Sequence, residues 1–170
     1  MITPEPSRTA LVLIDFMPRI IGLELGPRPG AEALEAACGL AERFRAVGAP
    51  VVAVRVDRPK VAQQPAGSEL HARVAALADE VVTKHTVGAF HETGLHELLR
   101  GLGVSTLVLA GIATNMGVES TARAASDLDY ELVFAEDAMT ALTAAEHEAS
   151  VTLNLPRFGT VLSCAEIMPS

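Results

Sequence analysis

The chain has 170 residues, is 49% apolar with only 4% aromatic residues, and carries a formal charge of −8. That length fits a single domain spanning residues 1–170, and the acidic balance argues against nucleic acid or an anionic membrane as partner. The amino-terminal segment has prolines and charge where a secretion signal needs an apolar run. The two cysteines, Cys38 and Cys164, set neither a disulfide framework nor a zinc spacing. A cytoplasmic protein is expected.

Short apolar runs alternate with longer stretches of helical period, the pattern of a parallel sheet covered on both faces. Strands are predicted at Thr9–Ile14, Pro50–Val56, Glu80–Thr83, Thr106–Gly111, Glu131–Ala135 and Thr160–Ser163. The unbroken run Val51–Val54 is typical of a strand buried on both sides. Between the strands, a helix over Ala31–Val47 places Leu34, Ala37, Cys38, Ala41 and Phe44 on one face, and Gly48 closes it. Further helices are predicted over Ser68–Leu77, His91–Leu102 and Met116–Leu128, the last capped by Thr114 or Asn115. Thr143-Ala-Ala-Glu146 reads as a capping box opening a final long helix. The fold class is therefore α/β, a doubly wound, Rossmann-like sheet with helices on both faces. The loop Gly22–Gly30, with three glycines and two prolines, fits either a lid or a subunit contact.

Open α/β sheets bind ligands beyond the carboxyl ends of their strands. Those ends carry Asp15, Asp57-Arg58, Lys84-His85, Ala113-Thr114-Asn115 with Gly117 just behind, and Glu136-Asp137. The first strand–helix turn, Asp15 to Arg19, holds neither a dinucleotide fingerprint nor a P-loop. Asp15 follows an apolar strand directly, a position that suits a turn cap as well as an acid–base group. Lys84 is one of only two lysines against eleven arginines. A lysine at a strand end suits a compact ammonium held against a carboxylate, which a guanidinium serves poorly. The helix start at Thr114–Gly117 offers unpaired backbone N–H groups to an anion. The histidine spacings favour no metal site, and no cofactor is expected. Cys38 falls on an apolar helix face and Cys164 in the last strand, so no thiol stands at a functional strand end.

Leu13-Ile-Asp15, Lys84-x-x-x-Gly88-Ala-Phe90-x-x-Thr93-x-Leu95 and Gly111-Ile-Ala-Thr-Asn-Met-Gly-Val-Glu-Ser-Thr-Ala122, followed by Tyr130, Glu136-Asp137-Ala138 and His147, resemble the isochorismatase-like hydrolases of the cysteine hydrolase superfamily. The resemblance implies a six-stranded parallel sheet of order 3-2-1-4-5-6, assembly as a homodimer or homotetramer, and a non-proline cis peptide at Ile112–Ala113. In cysteine-using members an Asp-Lys-Cys triad hydrolyses amides. Asp15 and Lys84 stand at the first two positions and Gly117 at the third, where a covalent acyl intermediate has no atom to form on. Isochorismatases proper resemble this chain in having Gly there, and they cleave a vinyl ether by protonation and water addition. The expectation is a hydrolase acting on a small molecule through Asp15 and Lys84 without a thiol. The Ala113 and Gly117 amides and Asn115 would face the substrate, Phe90 would form an apolar wall, and Arg58, Lys60 or Arg19 would bind a carboxylate. The alternative is a non-catalytic relative that binds a small molecule or an interaction partner.

Overall fold

The computed structural model of the protein describes residues 3–167. Six parallel strands, β1 (Thr9–Ile14), β2 (Val51–Val56), β3 (Glu80–Lys84), β4 (Thr106–Ile112), β5 (Glu131–Thr140) and β6 (Gly159–Leu162), form one sheet of order β3-β2-β1-β4-β5-β6. The helices are α1 (Pro18–Ile21), α2 (Gly30–Ala46), α3 (Ala72–Leu77), α4 (Leu95–Gly101), α5 (Glu119–Asp127) and α6 (Ala144–Ala149). Both the predicted class and the strand order hold.

Strand periodicity sorts the core into two halves. Leu11, Leu13, Val51, Ala53, Val108 and Ala110 pack beneath Ala37, Leu40, Ala41 and Phe44 of α2. Their neighbours Val12, Ile14, Val52, Val54, Leu107 and Leu109 pack on the opposite face against Leu95 and Leu99 of α4 and Ala122 and Ala125 of α5. Every β1 residue is buried, as a central strand with helices on both sides requires. Chain order reverses between β1 and its two neighbours, β2 and β4, which opens a crevice at their carboxyl ends.

Four departures from the expected elements have local causes. α4 starts at Leu95 rather than His91, because Glu92 is left-handed (φ 51) and cannot continue a helix. The helix expected from Met116 instead opens as a wide π-helical turn, Thr114–Val118, before tightening into α5. β5 runs on to Thr140, past the predicted end at Ala135, because the β4–β5 register jumps from Leu109↔Phe134 to Gly111↔Met139 and bulges out Glu136 and Asp137. The final helix is interrupted after Ala149 by a second wide turn and then by Pro156. Thr143 does cap α6, its hydroxyl accepting from the Glu146 amide at 3.2 Å. Cys164 lies just past β6 in a short 3-10 turn, not in the strand. The Gly22–Gly30 loop is stitched to the end of β5 by paired backbone bonds between Gly26 and Ala141.

Where β1 and β4 end, their backbones approach closely. Gly111 has φ 150, and a Cβ there would stand 2.3 Å from the Ile14 carbonyl oxygen. Gly111→Ala is expected to destabilise the fold by about 1–3 kcal/mol through that strain. Urea denaturation checks this, and an unchanged midpoint would contradict the packing described.

Candidate active site

Asp15 terminates β1 in a way that points its carboxylate. Its amide extends the ladder by one bond to the Val54 carbonyl (2.8 Å), and its backbone then turns left-handed (φ 59). Asp tolerates that conformation better than most side chains. Lys84 ends β3, two strands away, and its side chain crosses over the end of β2. Its Nζ lies 2.8 Å from Asp15 Oδ2 and also donates to the Val87 carbonyl. Both partners are buried, Lys84 at 1% exposure and Asp15 at 5%.

The third component is the turn after β4. The Ile112–Ala113 peptide is cis, as the resemblance implies. The Met116 and Val118 amides turn back onto the Ala113 carbonyl at 3.1 and 3.3 Å. A Cβ on Gly117 would lie 3.1 Å from Asp15 Oδ2 and 3.3 Å from Lys84 Nζ. The glycine backbone thus faces the ion pair with no side chain between them.

These groups line a cavity of about 330 Å³ whose walls include Asp15, Lys84, Ala113, Met116 and Gly117. Val56, Ile112, His85, Thr86 and Val87 complete it. Val56, Thr86, Val87 and Met116 were not singled out from sequence. Their only signal was adjacency to a strand end or to the Lys84 and Gly117 motifs. A larger depression of about 630 Å³ lies at the opposite, amino edge of the sheet, beside Arg8, Thr106 and Glu131, away from the Asp15–Lys84 pair.

Five residues expected around the site, Arg58, Lys60, Arg19, Phe90 and Asn115, are not part of the cavity lining. Arg58 is exposed, its backbone pinned to the side chain of Gln64 by bonds of 2.8 and 3.0 Å. The Phe90 ring stacks on Tyr130 with centroids 5.9 Å apart, in the α4–α5 half of the core. Asn115 sits on the turn outside the cavity lining, and its Oδ1 is buried without a partner. Lys60 is exposed in the segment after β2, whereas Arg19 is half-buried and close enough for its charge to act on Asp15.

Burial pushes the Asp15 carboxyl above the usual carboxylate range, outweighing the opposing pull of the Lys84 ammonium and, further off, Arg19. Its Oδ1 is buried and has no hydrogen-bond partner. The arrangement is a protonatable carboxyl that lines the cavity, held in place by an ammonium, with one oxygen unpartnered. Neither cysteine lines the cavity. Cys38 lies on the buried face of α2, and Cys164 lies against the Ala36 carbonyl with its thiol pKa raised by burial.

An open parallel sheet with a buried acid–lysine pair at its switch point belongs to the α/β proteins that act on small molecules at the carboxyl edge. The Isochorismatase domain model matches residues 9–166, and the chain belongs to that family of hydrolases. It is 40% identical to the isochorismatase family protein YecD of Escherichia coli O157:H7, over 99% of this chain and 98% of that one. It is 35% identical to streptothricin hydrolase of Streptomyces noursei, over 76% of this chain and 48% of the relative. Among solved structures, an isochorismatase family protein from Burkholderia thailandensis superposes with a TM-score of 0.84 at 34% identity, covering 98% of this chain and 96% of that one.

A buried ion pair is costly to break and cheap to replace as a unit. At pH values above the Asp15 midpoint, where the carboxylate is ionised, Lys84→Met alone should lower stability by about 3–5 kcal/mol, and the double variant Asp15→Leu/Lys84→Met should recover most of it. Urea unfolding of the three proteins is the check. A loss below about 1 kcal/mol for Lys84→Met, typical of exposed pairs, would show that water reaches this one.

Proposed function

We propose that the protein is a hydrolase that works without a covalent thiol intermediate, cleaving a vinyl ether of the isochorismate type with Asp15 as the general acid. The observation that carries this reading is the Asp15 carboxyl itself, with its raised pKa, its Oδ1 unpartnered and its Oδ2 facing a bare glycine backbone. An acid must start protonated, and burial favours that form despite the neighbouring ammonium.

In the proposed reaction Asp15 gives its proton to the terminal carbon of the enol ether. The carbon bearing the ether oxygen becomes an oxocarbenium centre, and water adds to it. The resulting hemiketal collapses to a keto acid and an alcohol, and the proton released by water restores Asp15. Lys84 stabilises the carboxylate left after proton transfer. The Ala113 and Gly117 amides hold negative charge on the substrate, and Arg19 is the cation best placed to neutralise a substrate carboxylate. Val87 and Met116, each 49% exposed, stand at the rim and supply apolar contact.

The family's amide hydrolases motivate a second class of substrate, but no cysteine lines the cavity, so an amide would have to be attacked by water without an acyl-thiol intermediate. A purely binding protein would hold a vinyl ether without turnover.

Incubation with isochorismate should release pyruvate, and Asp15→Asn should abolish release while retaining binding. No pyruvate from the unaltered protein, or an unchanged rate in Asp15→Asn, would overturn the proposal. Thiol alkylation should leave the rate unchanged.

The pH profile gives an independent reading. A general acid works in its protonated form, so kcat/KM should fall as pH rises through a midpoint above the usual carboxylate range. Lys84→Met removes the charge that favours ionisation, so the falling limb should move to higher pH. A limb that rises with pH would instead make Asp15 a base.

A further inference from the structure

Thr114 opens the turn after β4, yet it does not wall the cavity as Ala113, Met116 and Gly117 do. Its side chain points the other way. Oγ1 lies 2.8 Å from Nδ1 of His147. The other ring nitrogen, Nε2, lies 2.8 Å from Glu136 Oε1. The same oxygen accepts from an Arg28 guanidinium nitrogen at 2.8 Å. Arg28 is itself anchored, donating to the Glu136 and Met139 carbonyls at 2.9 and 2.6 Å, while the Thr140 hydroxyl donates to the Arg28 carbonyl at 2.7 Å. Four separate segments are thereby joined: the Gly22–Gly30 loop, the bulge of β5, α6 and the turn after β4.

Two features set this chain of contacts apart from ordinary packing. Thr114 and His147 are 0% and 1% exposed, and apolar side chains would fill the same space without the cost of desolvating polar groups. The Thr114 hydroxyl is committed to His147, and the turn opens at Ala113 with no side-chain cap.

We propose that Arg28, Glu136, His147 and Thr114 form a positioning chain that holds the 113–117 turn in its anion-accepting geometry, with Thr114 and His147 as its working end. This inference rests on reading the turn as the place where substrate negative charge is held. A carboxylate only accepts hydrogen bonds, so Glu136 assigns the proton of the His147 ring to Nε2. In the neutral ring Nδ1 is then an acceptor that draws the Thr114 hydroxyl hydrogen away from the turn. Burial raises the Glu136 pKa, but the bonds from Arg28 and His147 outweigh it and hold the group below the usual range, so the acceptor stays ionised.

Thr114→Val keeps the shape and removes the hydroxyl, whereas Thr114→Ser keeps the hydroxyl. With the vinyl-ether substrate, Thr114→Val should lose about 10- to 100-fold in kcat with KM little changed, as expected when reacting groups are misplaced. Thr114→Ser should stay close to the unaltered protein, and Glu136→Gln, one link further away, should fall in the same direction by less. The backbone amide resonances of residues 113–117 should move in Thr114→Val and return in Thr114→Ser. Equal losses in the Ser and Val variants, or an unchanged kcat in Thr114→Val, would overturn the proposal. If the unaltered protein turns over no vinyl ether, the functional reading fails separately. The amide resonances then decide alone, and shifts unmoved by Thr114→Val would overturn the positioning role.

Discussion

A carboxylate and an ammonium removed from water at the switch point of the sheet set the terms for everything around them. Taking each charge out of water costs several kcal/mol, and only close approach and well-placed hydrogen bonds return that cost. Lys84 Nζ therefore sits 2.8 Å from Asp15 and also donates to the Val87 carbonyl. The left-handed backbone at Asp15 and the crossing of the Lys84 side chain over β2 both follow from holding this pair together. Asp15 Oδ1 is buried and left unpartnered, while Oδ2, held by Lys84, faces the Gly117 backbone.

The sheet was legible because its strands bury both faces. Unbroken apolar runs mark β1, β2 and β4, and the two halves of the core follow from odd and even positions along them. Helix boundaries were less legible. The starts of α4 and α5 depend on a left-handed Glu92 and on a widened turn, neither of which changes the apolar period. The true end of β5 was hidden because two acidic residues read as a strand end, whereas they form a bulge that returns to the ladder.

Within the site, Asp15 and Lys84 were readable from strand-end positions and from the scarcity of lysine. Arg58, Phe90 and Asn115 lie outside the cavity lining, because proximity in sequence says nothing about side-chain direction. Phe90 turns inward to Tyr130, and Arg58 follows a backbone pinned by Gln64. The chain from Arg28 to Thr114 was not assembled from sequence. Its contacts span 108 residues from Arg28 to Glu136 and 33 from Thr114 to His147, and no periodicity records pairings of that range.

The account turns on the protonation state of one carboxyl group, which can be measured without any substrate. Titration of the Asp15 side-chain carboxyl by carbon-13 NMR, assigned with Asp15→Asn, should give a midpoint clearly above that of an exposed aspartate. A midpoint at or below the ordinary aspartate value would mean that the ammonium dominates over burial. Asp15 would then be ionised at neutral pH and unable to serve as the acid.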